Sequence, residues 1–233
     1  MAYAGLCDGV STRCLCLYSA RLHAPAAPPI IRVLDHLHEH HVYGRRVRVL
    51  VEQLAALVPR NARVLDVGCG DGAIDAKLAR LRSDLHIEGI DVLARPSTHV
   101  PVTRFDGVRL PFPDQSYDVV TFIDVLHHTH DPAVLLAEAR RVARRAVVLK
   151  DHCRDGLLAG PTLRFMDFVG NARYGIALPY NYWPEARWRE TFDRLGLRVD
   201  AWCARLGLYP WPASMVFERR LHFVTRLVPT GAR

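Results

Sequence analysis

Apolar positions between Ile30 and Val58 recur at helical spacing, Val33, Leu34 and Leu37 and then Val47, Leu50, Val51, Leu54 and Leu57, until Pro59 stops the pattern. One or two helices are expected there. Beyond Pro59, short β-rich runs alternate with helical stretches. Arg63 to Val67, Ile87 to Asp91, Val100 to Phe105, Tyr117 to Ile123 and Ala146 to Lys150 read as strands, and Ala73 to Leu81 and Ala133 to Val142 as helices. Such alternation implies right-handed crossovers and a parallel sheet with helices on both faces, an α/β, doubly wound class.

The two ends of the chain follow other patterns. Residues 1–29 carry no sustained periodicity and close in Pro25, Pro28 and Pro29, as expected of a mobile N-terminal extension. From Asp155 to Trp183 the chain mixes Gly156, Gly160, Gly170 and Gly175 with apolar and aromatic residues, an insertion after the fifth strand that suits a lid or pocket wall on the substrate side, with hydrophobic packing as the competing reading. A helix from Pro184 to Leu195 and strands from Leu197 to Cys203 and Arg219 to Leu227 complete the pattern.

Composition narrows the class without choosing a function. The chain has 233 residues, 50% hydrophobic and 24% charged, which excludes disorder and fibres and predicts one domain over residues 30–233 around a single core. No apolar run approaches the ~18 residues of a spanning helix, and the start lacks the layout of a signal peptide, so a cytoplasmic protein with no membrane span is expected. The six cysteines, Cys7, Cys14, Cys16, Cys69, Cys153 and Cys203, read as reduced thiols in a chain long enough to have its own core. The net charge of +7 is dispersed over short arginine clusters and forms no single stripe, so a solvated basic surface is expected and no nucleic-acid partner.

The chemistry concentrates after the first strand. Val64-Leu65-Asp66-Val67-Gly68-Cys69-Gly70-Asp71-Gly72 is a strand opening into a glycine turn and then a helix, where the backbone can approach a ligand and free amides face it. Gly68, Gly70 and Ala73 also satisfy the dinucleotide spacing, so the glycines alone leave the cofactor open. Asp66 would repel a pyrophosphate and suits a cationic amino group. Asp66-x-Gly68-x-Gly70-x-Gly72 resembles the first motif of class I S-adenosylmethionine-dependent methyltransferases. The run Phe105-Asp106-Gly107-Val108-Arg109-Leu110-Pro111-Phe112-Pro113 through Tyr117-Asp118-Val119-Val120, followed by Val125-Leu126-His127-His128, is similar to later motifs of its small-molecule branch.

That resemblance, carried by residues 45–150, implies a seven-stranded mostly parallel sheet and S-adenosylmethionine as cofactor. It further implies Asp66 at the α-ammonium, Gly68 and Gly70 in the turn, Asp91 on the ribose hydroxyls, Val92 against adenine, Asp106 with Gly107 at the adenine amino group, and Ile123 near the methionine part. Methyl transfer needs a base only when the acceptor must lose a proton. His128 and His152, after the fourth and fifth strands, rank first for that role, ahead of His127. His36 and His40 form an i, i+4 pair with no further ligand placed beside it, and no metal is expected. The expected reaction is methyl transfer to a small, partly apolar acceptor, at oxygen or carbon rather than nitrogen. The alternatives are a non-catalytic binding or partner subunit of the same fold and a nicotinamide-dependent oxidoreductase.

Overall fold

The computed structural model describes residues 44–93, 95–171 and 179–231. The N-terminal extension, the first part of the predicted N-terminal helices with His36 and His40, and residues 172–178 of the insertion lie outside them.

The first described helix, α1 (Gly44–Leu57), buries Val47, Leu50, Val51 and Leu54 on one stripe, as its apolar spacing requires. Then follow β1 (Arg63–Val67), α2 (Ala73–Leu81), β2 (His86–Asp91), β3 (Val102–Arg104), β4 (Tyr117–Ile123), α3 (Pro132–Val142) and β5 (Ala143–His152). The remainder comprises α4 (Ala159–Asn171), α5 (Glu185–Arg194), β6 (Leu197–Cys203), a single-turn α6 (Ser214–Phe217) and β7 (His222–Pro229). The seven strands form one sheet in the order β3-β2-β1-β4-β5-β7-β6, parallel except where β7 pairs antiparallel with both β5 and β6.

Strand alternation sorts the core into two layers. Leu65, Val67, Val120, Phe122, Val147 and Leu149 face α3 and α5, with Leu135, Leu136, Trp188 and Phe192 filling that side. Val64, Val119 and Val148 face the other way, against Val47, Val51 and Leu54 of α1 and Leu78 of α2.

Beyond shifts of one or two residues at element ends, the sequence reading differs from this structure in four places. Helix α4 differs from the expectation, which assigned no element within the glycine-containing insertion from Asp155 to Trp183; Pro161 sits near the start of the helix, where its missing N–H costs no hydrogen bond. β5 starts at Ala143, three residues before the predicted Ala146, since α3 passes directly into the strand. The third strand shrinks to Val102–Arg104 at the sheet edge. The last strand starts at His222 and not at Arg219, because α6 and the turn Leu221 N–H to Glu218 carbonyl (2.7 Å) occupy the preceding residues.

Candidate functional site

In a sheet with this strand order, a crevice opens at the carboxyl ends of β1 and β4, where connections diverge to opposite sides. A cavity of about 570 Å³ lies there, within the range of small-molecule sites. Gly68 and Gly70, both left-handed (φ 76° and 62°), form one wall. A Cβ on Gly68 would come within 2.6 Å of Val125 Cγ2, whereas one on Gly70 would project into open space, so Gly70 leaves room for a ligand and Gly68 lets the turn pack.

Asp91 closes β2 and lines the same cavity. Its Oδ2 accepts from the Gly70 amide and its Oδ1 from the Leu93 amide, both at 2.8 Å, which fixes the carboxylate against the glycine turn. Asp106 is exposed at the rim, and its Oδ1 accepts from the amides of Val108 and Arg109, each 2.8 Å, which hold its carboxyl below the usual range. Val92, Leu93 and Val108, more exposed than is usual for aliphatic residues, form an apolar lip beside Gly107. Asp124, Val125, His128 and Asp131 line the opposite side. Burial, and secondarily the neighbouring His127, lower His128 from its ordinary value, so it stays neutral at physiological pH.

Three predicted site residues lie elsewhere, and strand parity explains two of them. Asp66 shares the face of Val64 and is turned toward α2; it is buried, its Oδ1 accepts from Thr121 Oγ1 at 2.5 Å, and it does not line the cavity. Burial, and secondarily the adjacent Asp75 of α2, hold Asp66 well above the carboxylate range. Ile123, on the same face of β4, packs toward α1 and not into the cavity. His152 ends β5 inside a buried polar cluster, where burial and Lys150 hold it well below the histidine range.

Asp75 gives a measurable consequence. Burial, and secondarily Asp71, push it up to about 6 against a hydrogen bond with Asp66. A carboxyl raised in the folded state costs nothing below its ordinary value of 3.8 and opposes folding increasingly as pH climbs through about 6. Asp75→Asn should therefore stabilise the protein by about 3 kcal/mol at pH 8 and by well under 1 kcal/mol at pH 4, as read by urea unfolding at the two pH values.

The buried cluster centres on residues that sequence reading ranked low or missed. Asp124, at positive φ (58°) after β4, is ion-paired with both Lys150 and Arg46. Burial works to raise it, but Lys150 and Arg46 outweigh that and hold it well below the carboxylate range. His127 lies fully buried in a single 3-10 turn (Leu126–His128), with its Nδ1 2.7 Å from Asp151 Oδ1. Asp167 of α4 approaches from the insertion and accepts a hydrogen bond from Tyr182. Trp183 packs on Trp188 in the main core with ring centroids 4.8 Å apart, so that end of the insertion is core packing and not a cavity wall. Asp151 is 24 residues from His127 in sequence, and no local pattern joins them.

Residues 38–201 match the family described as methyltransferase domain. The chain is 31% identical over 110 residues to a 27-O-demethylrifamycin SV methyltransferase of Amycolatopsis mediterranei, covering 41% of this chain and 40% of that one. It is 34% identical over 109 residues to a ubiquinone biosynthesis O-methyltransferase of Hahella chejuensis, covering 40% and 43%. The chain thus spans less than half the length of these curated relatives. Its fold is similar to that of an S-adenosylmethionine-dependent methyltransferase from Aquifex aeolicus, with TM-score 0.54, 18% identity and coverage of 86% and 97%. With more than half of the chain inside the matched domain, and with this strand order and glycine turn, the chain belongs to the class I S-adenosylmethionine-dependent methyltransferase family.

Proposed function

We propose that the chain, with its domain running over residues 30–233, transfers a methyl group from S-adenosylmethionine to a hydroxyl of a small, partly apolar acceptor. The observation that carries this reading is the charge of the strand-end cavity: among the described residues Asp91, Asp106, Asp124 and Asp131 line it against one arginine, Arg95, an arrangement that favours a cationic sulfonium ligand and repels a pyrophosphate. The site fits that ligand in shape as well. Gly70 leaves its side open, Asp91 is anchored to accept from ribose hydroxyls, and Val92 and Val108 offer an apolar lip for adenine beside Asp106 and Gly107. With Asp66 and Ile123 turned to the other face of the sheet, their part is to fix β1 against β4 behind the glycine turn.

When bound, S-adenosylmethionine supplies an electrophilic methyl group. The chain's own work is to position the acceptor and exclude water, and His128, neutral at the cavity wall, can take the proton of an acceptor hydroxyl. His152, buried away from the cavity, acts on the reaction only through neighbouring groups. Oxygen is favoured over carbon by this neutral histidine and by the O-methyl chemistry named in two similar proteins.

Calorimetric titration with S-adenosylhomocysteine should give saturable binding, while NAD and NADP give none. Saturable NAD binding with none of the homocysteine derivative would sink the cofactor assignment. Transfer of radiolabelled methyl to a panel of hydroxylated aromatic and aliphatic acceptors then tests catalysis. With an active acceptor the rate should hold from pH 8 down to about 6.5, since a lowered His128 stays deprotonated below the ordinary histidine value of 6.5.

A further inference from the structure

At the carboxyl ends of β4 and β5, His127, His152 and Asp167 meet without lining the cavity. All three are buried, and one ligand atom from each lies within 4.8 Å of the others. Their hydrogen bonds assign the ring protons. His222 Nε2 is 3.0 Å from the Phe217 carbonyl, which can only accept, so that nitrogen donates. His222 Nδ1 faces the Lys150 ammonium at 3.5 Å and so presents a lone pair, to which His152 Nδ1 donates at 3.1 Å. His127 Nδ1 donates to Asp151 Oδ1 at 2.7 Å, and Asp151 is itself held by the amides of His152 (2.7 Å) and Leu126 (3.0 Å).

His152 Nε2 is left as a lone pair, whereas Asp151 and Asp167 outweigh burial and raise His127 to about 10, so without a metal ion its Nε2 carries a proton; both Nε2 atoms face carboxylate oxygens. His127 Nε2 is 3.4 Å from Asp167 Oδ2, fully buried and without a hydrogen bond. His152 Nε2 is 4.0 Å from Asp167 Oδ1 and 3.4 Å from Asp124 Oδ1. A lone pair set against a carboxylate repels unless a cation lies between them, and between His127 and Asp167 that cation is either the ring's second proton or a metal ion that displaces it.

We infer that His127, His152 and Asp167 form a site for one divalent transition-metal ion of the Zn²⁺ type, bound by two imidazole nitrogens and a carboxylate oxygen. This donor set is that of mononuclear sites which keep a coordination position open. Ligands at about 2.1 Å around a tetrahedral ion stand roughly 3.4 Å apart; His127 Nε2 stands at that spacing from Asp167 Oδ2, and His152 Nε2, 4.0 Å from the other oxygen Oδ1, comes onto the same ion by a turn of the carboxylate or a shift of its ring. Asp151 behind His127 and His222 behind His152 are the hydrogen-bond partners that orient metal-binding histidines. Asp124 touches this cluster and also lines the cavity, so the ion lies one side chain from the proposed methyl acceptor. The rival occupant of the gap is a second proton on His127.

The full chain, stripped with a chelator, is titrated with Zn²⁺ by calorimetry and with Co²⁺ by absorption. The expected result is one ion per chain, Co²⁺ d–d bands without thiolate charge transfer, and a Zn²⁺-dependent rise in melting temperature. Asp167→Asn, which can still accept from Tyr182, should weaken Zn²⁺ binding about 100-fold or more, while His36→Ala/His40→Ala leaves it unchanged. No stoichiometric Zn²⁺ binding by the wild type, thiolate bands, loss of binding in the His36/His40 variant, or a folded Asp167→Asn variant with wild-type affinity would each overturn the site. If Asp167→Asn does not fold, the wild-type stoichiometry, the Co²⁺ spectrum and the His36/His40 variant decide alone.

Discussion

Asp91→Ala is expected to weaken S-adenosylhomocysteine binding by about 10²- to 10⁴-fold, the loss of two charge-assisted hydrogen bonds at about 1.5–3 kcal/mol each. The carboxylate is anchored by the Gly70 and Leu93 amides before any ligand arrives, so its orientation costs nothing on binding. Asp91→Asn retains one carbonyl acceptor and should fall between alanine and wild type. Calorimetry with the melting temperature recorded alongside separates a binding loss from a folding loss. An alanine variant that melts like the wild type and binds with its affinity would remove Asp91 from the site.

Asp124→Asn is expected to destabilise the fold by about 3–5 kcal/mol, because it strands the buried Lys150 ammonium and weakens the hold on Arg46. Asparagine tolerates the positive φ of this position, so the effect isolates charge from backbone strain. In a chain of this length the melting temperature should drop by roughly 6–20 °C. The double variant Asp124→Asn/Lys150→Met removes the stranded charge as well and should recover half or more of the loss. A single variant within 1 kcal/mol of wild type in denaturant unfolding would show that the ion pairs contribute nothing net.

The readable parts of the sequence were those where one local rule acted without competition. β1 and β4 have their predicted bounds, because apolar, β-branched runs end at Gly68 in one case and at a polar turn in the other. Helix α4 was hidden by glycines and a proline that tertiary contacts of Leu163 and Tyr182 override. The site was legible as a set of positions along the chain and less so as a set of directions. Asp66 and Ile123 fall at strand ends as expected, yet they share the parity of Val64 and Val119, whose side chains face α1. Counting by twos from those valines would have turned both away from the cavity. The His127, Asp151 and Asp167 grouping depends on pairings across three separate elements, and no sequence period links them.

The placement of β7 between β5 and β6 bears on how the protein is made. Among the described residues, β6 precedes β7 in the chain but has no sheet neighbour other than β7, and one edge of β5 is paired only by β7. While residues 222–229 are still inside the ribosome, β6 has no partner strand and β5 presents an open apolar edge. The nascent chain therefore emerges with its cofactor half able to assemble and its remaining sheet open, and closure waits for the last strand to slot in. That interval is when the sheet is most exposed to edge-to-edge association.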